Sequence, residues 1–445
     1  MGTVGGHAVV LGASIGGLLA ARTLADFYEH VTVVERDELP ADARDRQGIP
    51  QGRHMHTLLE RGARTFEDMF PGLVEELAAA GAPRAHLLRE VRLVLSGHEL
   101  ARADTGAAAI QMTRPLLETT VRTRVAALTN VKIVDNHDVV GVQAVDGRVV
   151  GARIRNRATD GVEETVRADL VVDAMGRAGR AATWLAELGY EPPTQDRIKI
   201  DMAYVSRFLR MPPGALAPDR QLLVGPLPGR PRGFGLAEQE GGRWLFTLVG
   251  MAGDVPPHLD EEAYFAFAES VSQPDVYAAL RAAEPVTEFA TFRFPTSIRR
   301  RYERLRRFPP GLLVFGDAIC SFNPVYGQGM TVAALEATAL RECLQHGDDD
   351  LARRFFRSVA KVIDPVWQLN AGGDLALPEI EGHRPLATRL INRYVARLHR
   401  VAAHDKRVAA TFSRVAGLLD PPGAILAPGI LLRVFLGGRK SRSSG

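Results

Sequence analysis

"HAVVLGASIGGLLAARTLADFYEHVTVVERD", residues 7 to 37, reads as a strand, a glycine-rich turn, a helix and a second strand. The apolar run 8–11 predicts the first strand, and the apolar and alanine-rich stretch from about 16 to 27 predicts the helix. A second, mostly apolar stretch, 31–35, ends in Glu35 and predicts the next strand. This order is typical of a βαβ unit of the dinucleotide-binding type.

The glycine spacing G-x-G-x-x-G falls on Gly12, Ser14 and Gly17, with Gly16 as an additional glycine. Gly12 permits a tight turn, a small Ser14 lets the backbone approach a pyrophosphate, and Gly17 lets the helix pack closely on the strand. Glu35 ends the second strand, where an acid would hold the ribose hydroxyls of an adenosine. Because an acid there disfavours a 2′-phosphate, the unit suits FAD or NAD rather than NADP. An α/β protein without a nucleotide is the alternative.

Two later stretches repeat the pattern of an apolar strand followed by an acid and glycines. "ADLVVDAMGRAGR" (168–180) ends its strand in Asp173, and "GDAICSFNPVYGQGM" (316–330) follows the apolar run 312–315. Asp317 is placed to hydrogen-bond the ribityl chain of a flavin. The predicted helix start at residues 328–330 would face the pyrimidine end of the isoalloxazine and stabilise the negative charge of its reduced form. FAD is therefore favoured over NAD, although a plain strand–turn–helix connection would also fit the last stretch taken alone.

The composition narrows the class of protein. A chain of 445 residues that is 46% hydrophobic predicts two or three domains. The net charge is +3, and no basic block is interleaved with aromatic residues, so nucleic-acid binding is not expected. Two cysteines, no leading signal segment and no apolar run of about 18 residues predict a cytoplasmic protein without a membrane span.

In their order, "GASIGG", "DLVVDAMGR" and "GDAICSFNPVYGQGM" resemble the motifs of class A flavoprotein monooxygenases of the para-hydroxybenzoate hydroxylase fold. The resemblance covers nearly the whole chain. Within that family, the chain resembles most the bacterial polyether epoxidases of the monensin and lasalocid type. The stretches that carry this closer resemblance are "GIPQGRHMHTLLERG" (48–62), "WLAELGY" (184–190) and "FNPVYGQGMTVAALEA" (322–337).

The resemblance implies an α/β fold in which a β-sheet substrate domain is inserted into a Rossmann-type FAD-binding domain and a helical region follows. The expected FAD-binding domain is 1–86, 104–196 and 296–350, and the substrate domain is 87–103 and 197–295. The helical region is 351–436, and 437–445 is expected to be a disordered tail. Within the substrate domain, residues 232–251 predict a hairpin with Gly241 and Gly242 at its turn, and 286–294 predict a half-buried strand.

The predicted cofactor-binding residues lie in the motifs and in two flanking segments. They are Gly12, Ser14, Ile15, Gly16, Gly17, Glu35, Arg36, Arg46, Arg114, Asp317, Gly327, Gln328, Gly329 and Met330. Arg46 is also a candidate anchor for its loop, and Arg114 stands where such proteins begin a helix near the cofactor. Met175 departs from the family, whose members more often carry a small or acidic residue there.

The resemblance implies a monooxygenase of secondary metabolism that uses a flavin C4a-hydroperoxide and O₂ to epoxidise or hydroxylate an apolar, polyketide-like alkene or polyene. NADPH, NADH or a partner reductase would supply electrons, because no separate nicotinamide-binding unit is found. The predicted pocket residues, each of which also fits an ordinary core, are Tyr204, Phe208, Phe234, Phe246 and Phe292.

Individual residues with reactive side chains are assigned more modest roles. His54 and His56 fit local structural roles or donation to the flavin. No metal site is expected, because no carboxylate or Cys stands at ligand spacing from them. Cys320 fits a small turn residue better than a nucleophile, and no catalytic side chain is singled out.

Other functions of the same fold remain open. Flavin halogenases of this fold carry a Trp-x-Trp-x-Ile-Pro segment and a catalytic Lys in the early cofactor domain. A halogenase is disfavoured here, because Trp occurs only at 184, 244 and 367 and no Lys precedes residue 132. A reductase of isoprenoid double bonds shares the motifs. A spirotetronate-type cyclase, in which FAD is structural and undergoes no redox turnover, is kept as an alternative because of Met175.

Overall fold

The computed structural model describes residues 3–159, 161–258 and 260–437. Its strands, in chain order, are β1 (Gly5–Leu11), β2 (Tyr28–Val34), β3 (Thr57–Leu58), β4 (Arg84–His86), β5 (Val91–Leu95), β6 (His98–Glu99), β7 (Ala108–Gln111), β8 (Val131–Val134), β9 (His137–Val145), β10 (Arg148–Asn156), β11 (Glu164–Arg167), β12 (Leu170–Asp173), β13 (Gln195–Arg210), β14 (Gln221–Val224), β15 (Arg232–Glu238), β16 (Trp244–Gly250), β17 (Glu284–Pro285), β18 (Ala290–Arg300), β19 (Leu312–Val314) and β20 (Cys320–Ser321).

The α-helices, numbered in the same way, are α1 (Ile15–Leu24), α2 (Glu60–Met69), α3 (Leu73–Ala79), α4 (Arg114–Ala126), α5 (Ala181–Glu187), α6 (Glu261–Glu269), α7 (Pro274–Arg281), α8 (Gly329–Leu344), α9 (Leu351–Asp374), α10 (Leu386–Ala402), α11 (Lys406–Ala416) and α12 (Pro428–Gly437). None of the described helices combines the length and apolarity needed to cross a bilayer.

A parallel sheet of five strands, in the order β19-β12-β1-β2-β8, forms the centre of the first domain. Leu11 pairs with Val34 of β2 and with Asp173 of β12, and Asp173 also pairs with Val314 of β19. The three predicted motifs therefore follow strands that end at one edge of the sheet. In open parallel sheets this carboxyl edge is where ligands bind.

The turn between β1 and α1 depends on two glycines. Gly12 has a φ of +102°, and a Cβ at Gly17 would lie 1.8 Å from the carbonyl oxygen of Gly12. The helix can approach the strand only because Gly17 lacks a side chain, as predicted. The βαβ unit is present with slightly different bounds: α1 ends at Leu24 rather than near residue 27, and β2 ends one residue before Glu35.

A larger sheet forms the second layer, in the order β20-β18-β13-β16-β15-β14-β5-β6 with β17 beside β13. Strand β5 runs parallel to β14, and the other neighbours are antiparallel. The hairpin β15–β16 turns at Gly241 and Gly242, as predicted. The strand predicted over 286–294 begins only at Ala290 and runs on to Arg300. The chain thus has the α/β fold of the para-hydroxybenzoate hydroxylase type.

The two faces of the larger sheet have different neighbours. Helices α6 and α7 cover one face and bury an apolar cluster that includes Phe246, Leu248 and Tyr264. The side chains at the alternate strand positions point to the other face. Among them Tyr204 and Val249, which pair across β13 and β16, line a cavity there.

Helices α9 to α12 complete the molecule. Leu398, Val408 and Val434, from α10, α11 and α12, share a core cluster with Leu88 and Leu100, which flank the strands β5 and β6. The predicted helical region 351–436 is helical in these four segments. Of the predicted tail 437–445, Gly437 is the last residue of α12, and 438–445 lie outside the described residues.

Candidate active site

A single cavity of about 2210 Å³ lies between the carboxyl edge of the parallel sheet, the larger sheet and the C-terminal helices. Small-molecule sites usually occupy about 300 to 1,000 Å³. The cavity therefore has room for a large cofactor and a substrate together. Thirteen of the fourteen predicted cofactor-binding residues line it; Gly17 does not, because it packs against the backbone of Gly12.

Glu35 is held at one end of the cavity by backbone groups. The N–H of Ala13 donates to Glu35 Oε2 over 2.8 Å, and the N–H of Asp37 donates to Oε1 over 3.1 Å. Arg46 Nη1 lies 3.2 Å from Glu35 Oε2. Burial by itself lowers the pKa of Arg46, but Glu118 and Glu35 outweigh this and raise it above its ordinary value. The Arg46 side chain is therefore a fixed cation beside the predicted ribose acid. Arg36, by contrast, is an exposed neighbour at the cavity rim.

Glu118 connects the glycine turn with helix α4, and the sequence analysis missed it. Ser14 Oγ donates to Glu118 Oε2 over 2.9 Å, and Arg114 Nη2 donates to Ser14 Oγ over 2.8 Å. Arg46 Nε donates to Glu118 Oε1 over 2.8 Å. The four-residue spacing of Arg114 and Glu118 was the available signal, because such pairs share a helix face. This buried network fixes the position of Ser14 in the predicted pyrophosphate turn.

Asp317, in the turn after β19, presents a free carboxylate to the cavity. No described residue donates a hydrogen bond to its side chain, and the arginines that act on it are Arg114, Arg177 and Arg300. Burial raises the pKa of Asp317, and the three arginines partly oppose that shift. The turn itself is supported from behind, where the N–H of Gly316 donates to the buried Glu336 over 2.7 Å. Burial raises the pKa of Glu336 to about 8.

The first turn of α8 opens onto the same cavity. Gln328, Gly329 and Met330 line it, and no atom lies within 4 Å of the place where a Cβ of Gly329 would stand. Gln328 Nε2 donates to the carbonyl of Ala416 over 2.8 Å, which links the start of α8 to α11. The unpaired N–H groups at a helix start favour a negatively charged or polarised group.

These features fit FAD. A carboxylate held by backbone N–H groups, a free carboxylate at a strand end and an open helix start lie along one cavity. A Cβ at Gly12 would lie 2.9 Å from the carbonyl oxygen of Ala174, so the strand ends are packed too closely there for a side chain.

The two histidines lie between the flavin side of the cavity and the larger sheet. His54 Nδ1 lies 2.7 Å from Ser206 Oγ, which is 2.7 Å from Thr247 Oγ1. Its ring contacts Tyr204 and Phe292, with centroids 5.7 and 5.6 Å apart. Burial lowers the pKa of His54 to about 4, so the ring is neutral at neutral pH. His56 is likewise made neutral by burial, with a pKa of about 3.

Tyr204 and Phe292 reach the cavity, but two other aromatics of the predicted pocket do not. Phe246 lies on the face that α6 and α7 cover, 5.9 Å from the ring of Tyr264, because its position in β16 has the opposite parity. Phe208 lies on the cavity face but farther along β13, where Arg243 stacks on it at 4.7 Å. Phe234 borders the cavity and also packs against Phe246. The wall is completed by aliphatic side chains, among them Leu93, Leu95, Leu223, Val249 and Met251.

A second polar group in the cavity was also missed by the sequence analysis. Asp374, at the end of α9, is 1% exposed, and its Oδ1 accepts hydrogen bonds from Asn323 Nδ2 (2.7 Å) and the Tyr326 hydroxyl (3.0 Å). Its Oδ2 has no partner among the described residues. Burial raises the pKa of Asp374 to about 6. Asp374 is thus a carboxyl group in the cavity that can exchange a proton near neutral pH.

Met175 and Cys320 differ in their access to the cavity. Met175 is half-buried and lines it, next to the turn that contains Gly176. Cys320 lies in strand β20 and not in the predicted turn, and burial raises its thiol pKa well above the ordinary value, which does not suit a nucleophile. Within 3–159, 161–258 and 260–437, no group of three or more His, Cys, Asp or Glu side chains is arranged to hold a metal ion.

Comparison with known proteins gives a consistent match. Residues 7–347 match the family described as FAD binding domain. Over 432 residues the chain is 40% identical to Protein Rv3254 of Mycobacterium tuberculosis (strain ATCC 25618 / H37Rv), covering 93% of this chain and 90% of that protein. It is 23% identical over 349 residues to Squalene epoxidase 1 of Arabidopsis thaliana, covering 76% of this chain and 59% of that protein.

A solved structure of a flavoprotein/dehydrogenase from Cytophaga hutchinsonii superposes with a TM-score of 0.69 at 14% identity. The superposition covers 99% of this chain and 100% of that one. At this level of identity the likeness concerns the fold.

Proposed function

Because the chain belongs to the FAD binding domain family, we propose that it is an FAD-dependent monooxygenase that epoxidises or hydroxylates an apolar alkene or polyene. The observation that carries this proposal is the single cavity, in which the polar cradle of Glu35, Asp317 and the start of α8 continues into an aliphatic and aromatic wall. A site of this size and polarity suits a flavin next to an apolar substrate.

In this proposal Glu35 holds the adenosine ribose, Asp317 accepts hydrogen bonds from the ribityl chain, and the start of α8 faces the pyrimidine end of the ring. Arg46 and Arg114 place positive charge beside the pyrophosphate turn. FAD, when bound, supplies the activation of O₂ for transfer of one oxygen atom to carbon. Electrons come from NADPH, NADH or a partner reductase.

The chain's own residues orient the substrate and exclude water. Leu93, Leu223, Val249 and Phe292 give the substrate side of the cavity an apolar surface. An alkene needs no deprotonation before it accepts an oxygen atom, and His54, held by Ser206 and with a pKa of about 4, is a weak base that such a substrate does not require. A phenol would instead require a base to remove its proton.

Asp374 is the group best placed to move a proton in this cavity. Its Oδ1 is held by Asn323 and Tyr326, and its pKa of about 6 allows both the neutral and the ionised form near neutral pH. We assign it the role of donating a proton to the second oxygen atom of O₂, which leaves as water, and of regaining that proton from solvent.

Squalene epoxidase 1, by its name, epoxidises an apolar alkene, and this distant relative supports the choice of substrate class. The family match supports FAD. Neither one distinguishes epoxidation from hydroxylation, and a polyketide-like substrate rests on the resemblance of residues 48–62, 184–190 and 322–337 alone.

The first test is an anaerobic titration of the purified, FAD-loaded protein with NADPH and then NADH, with and without a flavin reductase, followed by ¹⁸O₂ and a polyene substrate. We expect the flavin band to bleach and the product to gain one ¹⁸O atom. A cyclised product without oxygen uptake would instead identify a cyclase with structural FAD. A saturated product without ¹⁸O would identify a reductase of double bonds.

A further inference from the structure

Large apolar side chains are exposed on α10, on α12 and on the segment that joins α11 to α12. Leu386 is 69% exposed, Leu432 60% and Phe435 55%. The full set comprises Leu386, Leu390, Leu426, Leu432, Phe435 and Leu436. Leu432, Phe435 and Leu436 have the spacing i, i+3, i+4 and so share one face of α12. We call these six residues the apolar patch.

Helix α10 holds α12 in a fixed position. Arg397 donates from Nε to the carbonyl of Val434 and from Nη2 to that of Phe435, both over 2.8 Å. The guanidinium of Arg397 also lies over the Phe435 ring at 5.3 Å from its centroid. Val434 is fully buried on the opposite side of α12. The helix is therefore anchored by one face and displays its apolar face to the outside.

The same region carries most of the protein's excess positive charge. Residues 384–437 contain nine Lys and Arg against two Asp, whereas residues 1–383 contain 43 Lys and Arg against 50 Asp and Glu. The two Asp are already paired, Asp405 with Arg433 and Asp420 with Arg414. Five exposed cations form no ion pair with any carboxylate in the described part of the chain: Arg389, Arg393, Arg400, Lys406 and Arg407.

The apolar patch adjoins the wall of the large cavity. Leu426 belongs to the patch and also lines the cavity, and Arg389, Ile391 and Arg393 of α10 line it as well. The C-terminal wall of the cavity therefore reaches the surface that carries both the exposed leucines and the unpaired arginines.

We propose that α10 and α12 dock onto the surface of an anionic lipid bilayer. The apolar patch enters the boundary between headgroups and acyl chains, the five unpaired cations face the lipid phosphates, and the cavity wall lies against the membrane. Helices with one apolar face and flanking cations bind bilayers in this way, and the attraction to anionic lipid is electrostatic. A second copy of the chain fits the patch less well, because two surfaces of the same strong positive charge repel each other.

The test is flotation of the full-length, FAD-loaded protein with vesicles, which requires no turnover and so is independent of the proposed activity. Vesicles of phosphatidylcholine alone are compared with vesicles that also contain about 30% phosphatidylglycerol, which is an anionic lipid. We expect at least about tenfold tighter binding to the anionic vesicles, lost when the salt concentration rises to about 0.5 M.

Two variants and one control separate the parts of the surface. Leu432→Ser with Phe435→Ser, and separately Arg400→Gln with Arg407→Gln, should each weaken binding about tenfold while FAD absorbance and melting temperature stay unchanged. Val145→Ser with Val162→Ser, which changes two exposed valines elsewhere, should leave binding unaltered. Failure of the wild type to float with anionic vesicles would overturn the proposal. So would a patch variant that changes only the oligomeric state in gel filtration.

Discussion

At the scale of single residues, the carboxylate of Asp317 is the clearest indication of a ligand-binding group, because it faces the cavity and no described side chain or N–H donates to it. Asp317→Ala should weaken FAD binding by about 10- to 100-fold, since a hydrogen bond to a charged group contributes about 1.5–3 kcal/mol. Fluorescence titration of the apoprotein with FAD measures the change. Asp349→Ala, at an exposed carboxylate of the α8–α9 connection, is the matched control. An Asp317→Ala protein that purifies with full FAD would remove Asp317 from the site.

Asp374 predicts a dependence of stability on pH. Its pKa is raised by burial from 3.8 to about 6 in the folded protein, so the folded state is penalised when this group ionises. The penalty is absent below about pH 4, grows between about pH 4 and pH 6 as the unfolded chain ionises and the folded one does not, and levels off at about 3 kcal/mol above pH 6. Asp374→Asn keeps an acceptor for Asn323 and Tyr326 and removes the charge.

Denaturant unfolding of the wild type and Asp374→Asn at pH 4.5 and pH 7.5 gives the measurement. The variant should gain free energy of unfolding relative to the wild type at pH 7.5 and gain little at pH 4.5. An equal difference at both pH values would show that folding does not raise the pKa of Asp374. The same variant should lower turnover with an alkene substrate if Asp374 carries the proton in the proposed reaction.

Residues with a local signature could be predicted, and residues whose role depends on distant partners could not. Glu35 follows a strand by one position and Asp317 by three, within recognisable motifs. The role of Glu118 depends on its hydrogen bonds with Ser14 and Arg46, which lie 104 and 72 positions away in the chain. Asp374 depends in the same way on Asn323 and Tyr326. A sequence on its own does not show which of 52 acidic residues acquire such partners.

At the scale of secondary-structure elements, the two adjacent glycines of α1 have different surroundings. A Cβ at Gly17 would lie 1.8 Å from the carbonyl oxygen of Gly12, but a Cβ at Gly16 would meet only the Phe315 ring at 3.9 Å. Gly17→Ala must displace α1 from β1 and should reduce the free energy of unfolding by at least about 2 kcal/mol. Gly16→Ala should be neutral or add up to about 1 kcal/mol, because Ala favours the helix.

Denaturant unfolding of both variants, with and without saturating FAD, checks this prediction. Equal destabilisation by the two substitutions would mean that close packing of α1 on β1 is not the reason for the second glycine. Since Gly16 lines the cavity and Gly17 does not, the measurement without FAD is the decisive one.

Elements were predicted better than the directions in which their side chains point. The βαβ unit and the β15–β16 hairpin follow from glycine positions and apolar runs, which are local features. Phe246 was misplaced because adjacent strand positions point to opposite faces. Helices α6 and α7 cover one face of this sheet, and the other face lines the cavity. Both faces carry apolar residues, so the sequence has no alternation of polar and apolar residues that would identify the cavity side.

At the scale of the whole molecule, the cavity is the place where the three parts of the chain meet. The parallel sheet, the larger sheet and helices α9 to α11 all contribute to its wall, and Gln328 joins α8 to α11 through Ala416. The sequence predicted the C-terminal helices but not that they close the cavity. Their residues that line the cavity, such as Trp367 and Val395, have the same apolar spacing as residues that pack in an ordinary core.

This arrangement predicts that FAD stabilises the chain as one unit. At 100 times its dissociation constant FAD should add about 2.7 kcal/mol to the free energy of unfolding. We expect calorimetry to show one main transition that moves to higher temperature with FAD and includes the C-terminal helices. Hydrogen exchange in α11 should slow as well. A separate unfolding transition of the C-terminal helices whose temperature does not change with FAD would contradict the inference that these helices form part of the FAD cavity.

The strand order of the parallel sheet also bears on how the protein is made in a cell. Strand β1 leaves the ribosome early, but its neighbour β12 is synthesised some 160 residues later, and β19, which completes the edge, ends at Val314. At about 5–20 residues per second, the nascent chain spends about 15 to 60 s with an unfinished sheet. The cradle for the flavin forms late, since it needs the turn after β19, and the wall from α9 to α11 follows it. Loading of the cofactor must therefore follow translation of at least the first 330 residues.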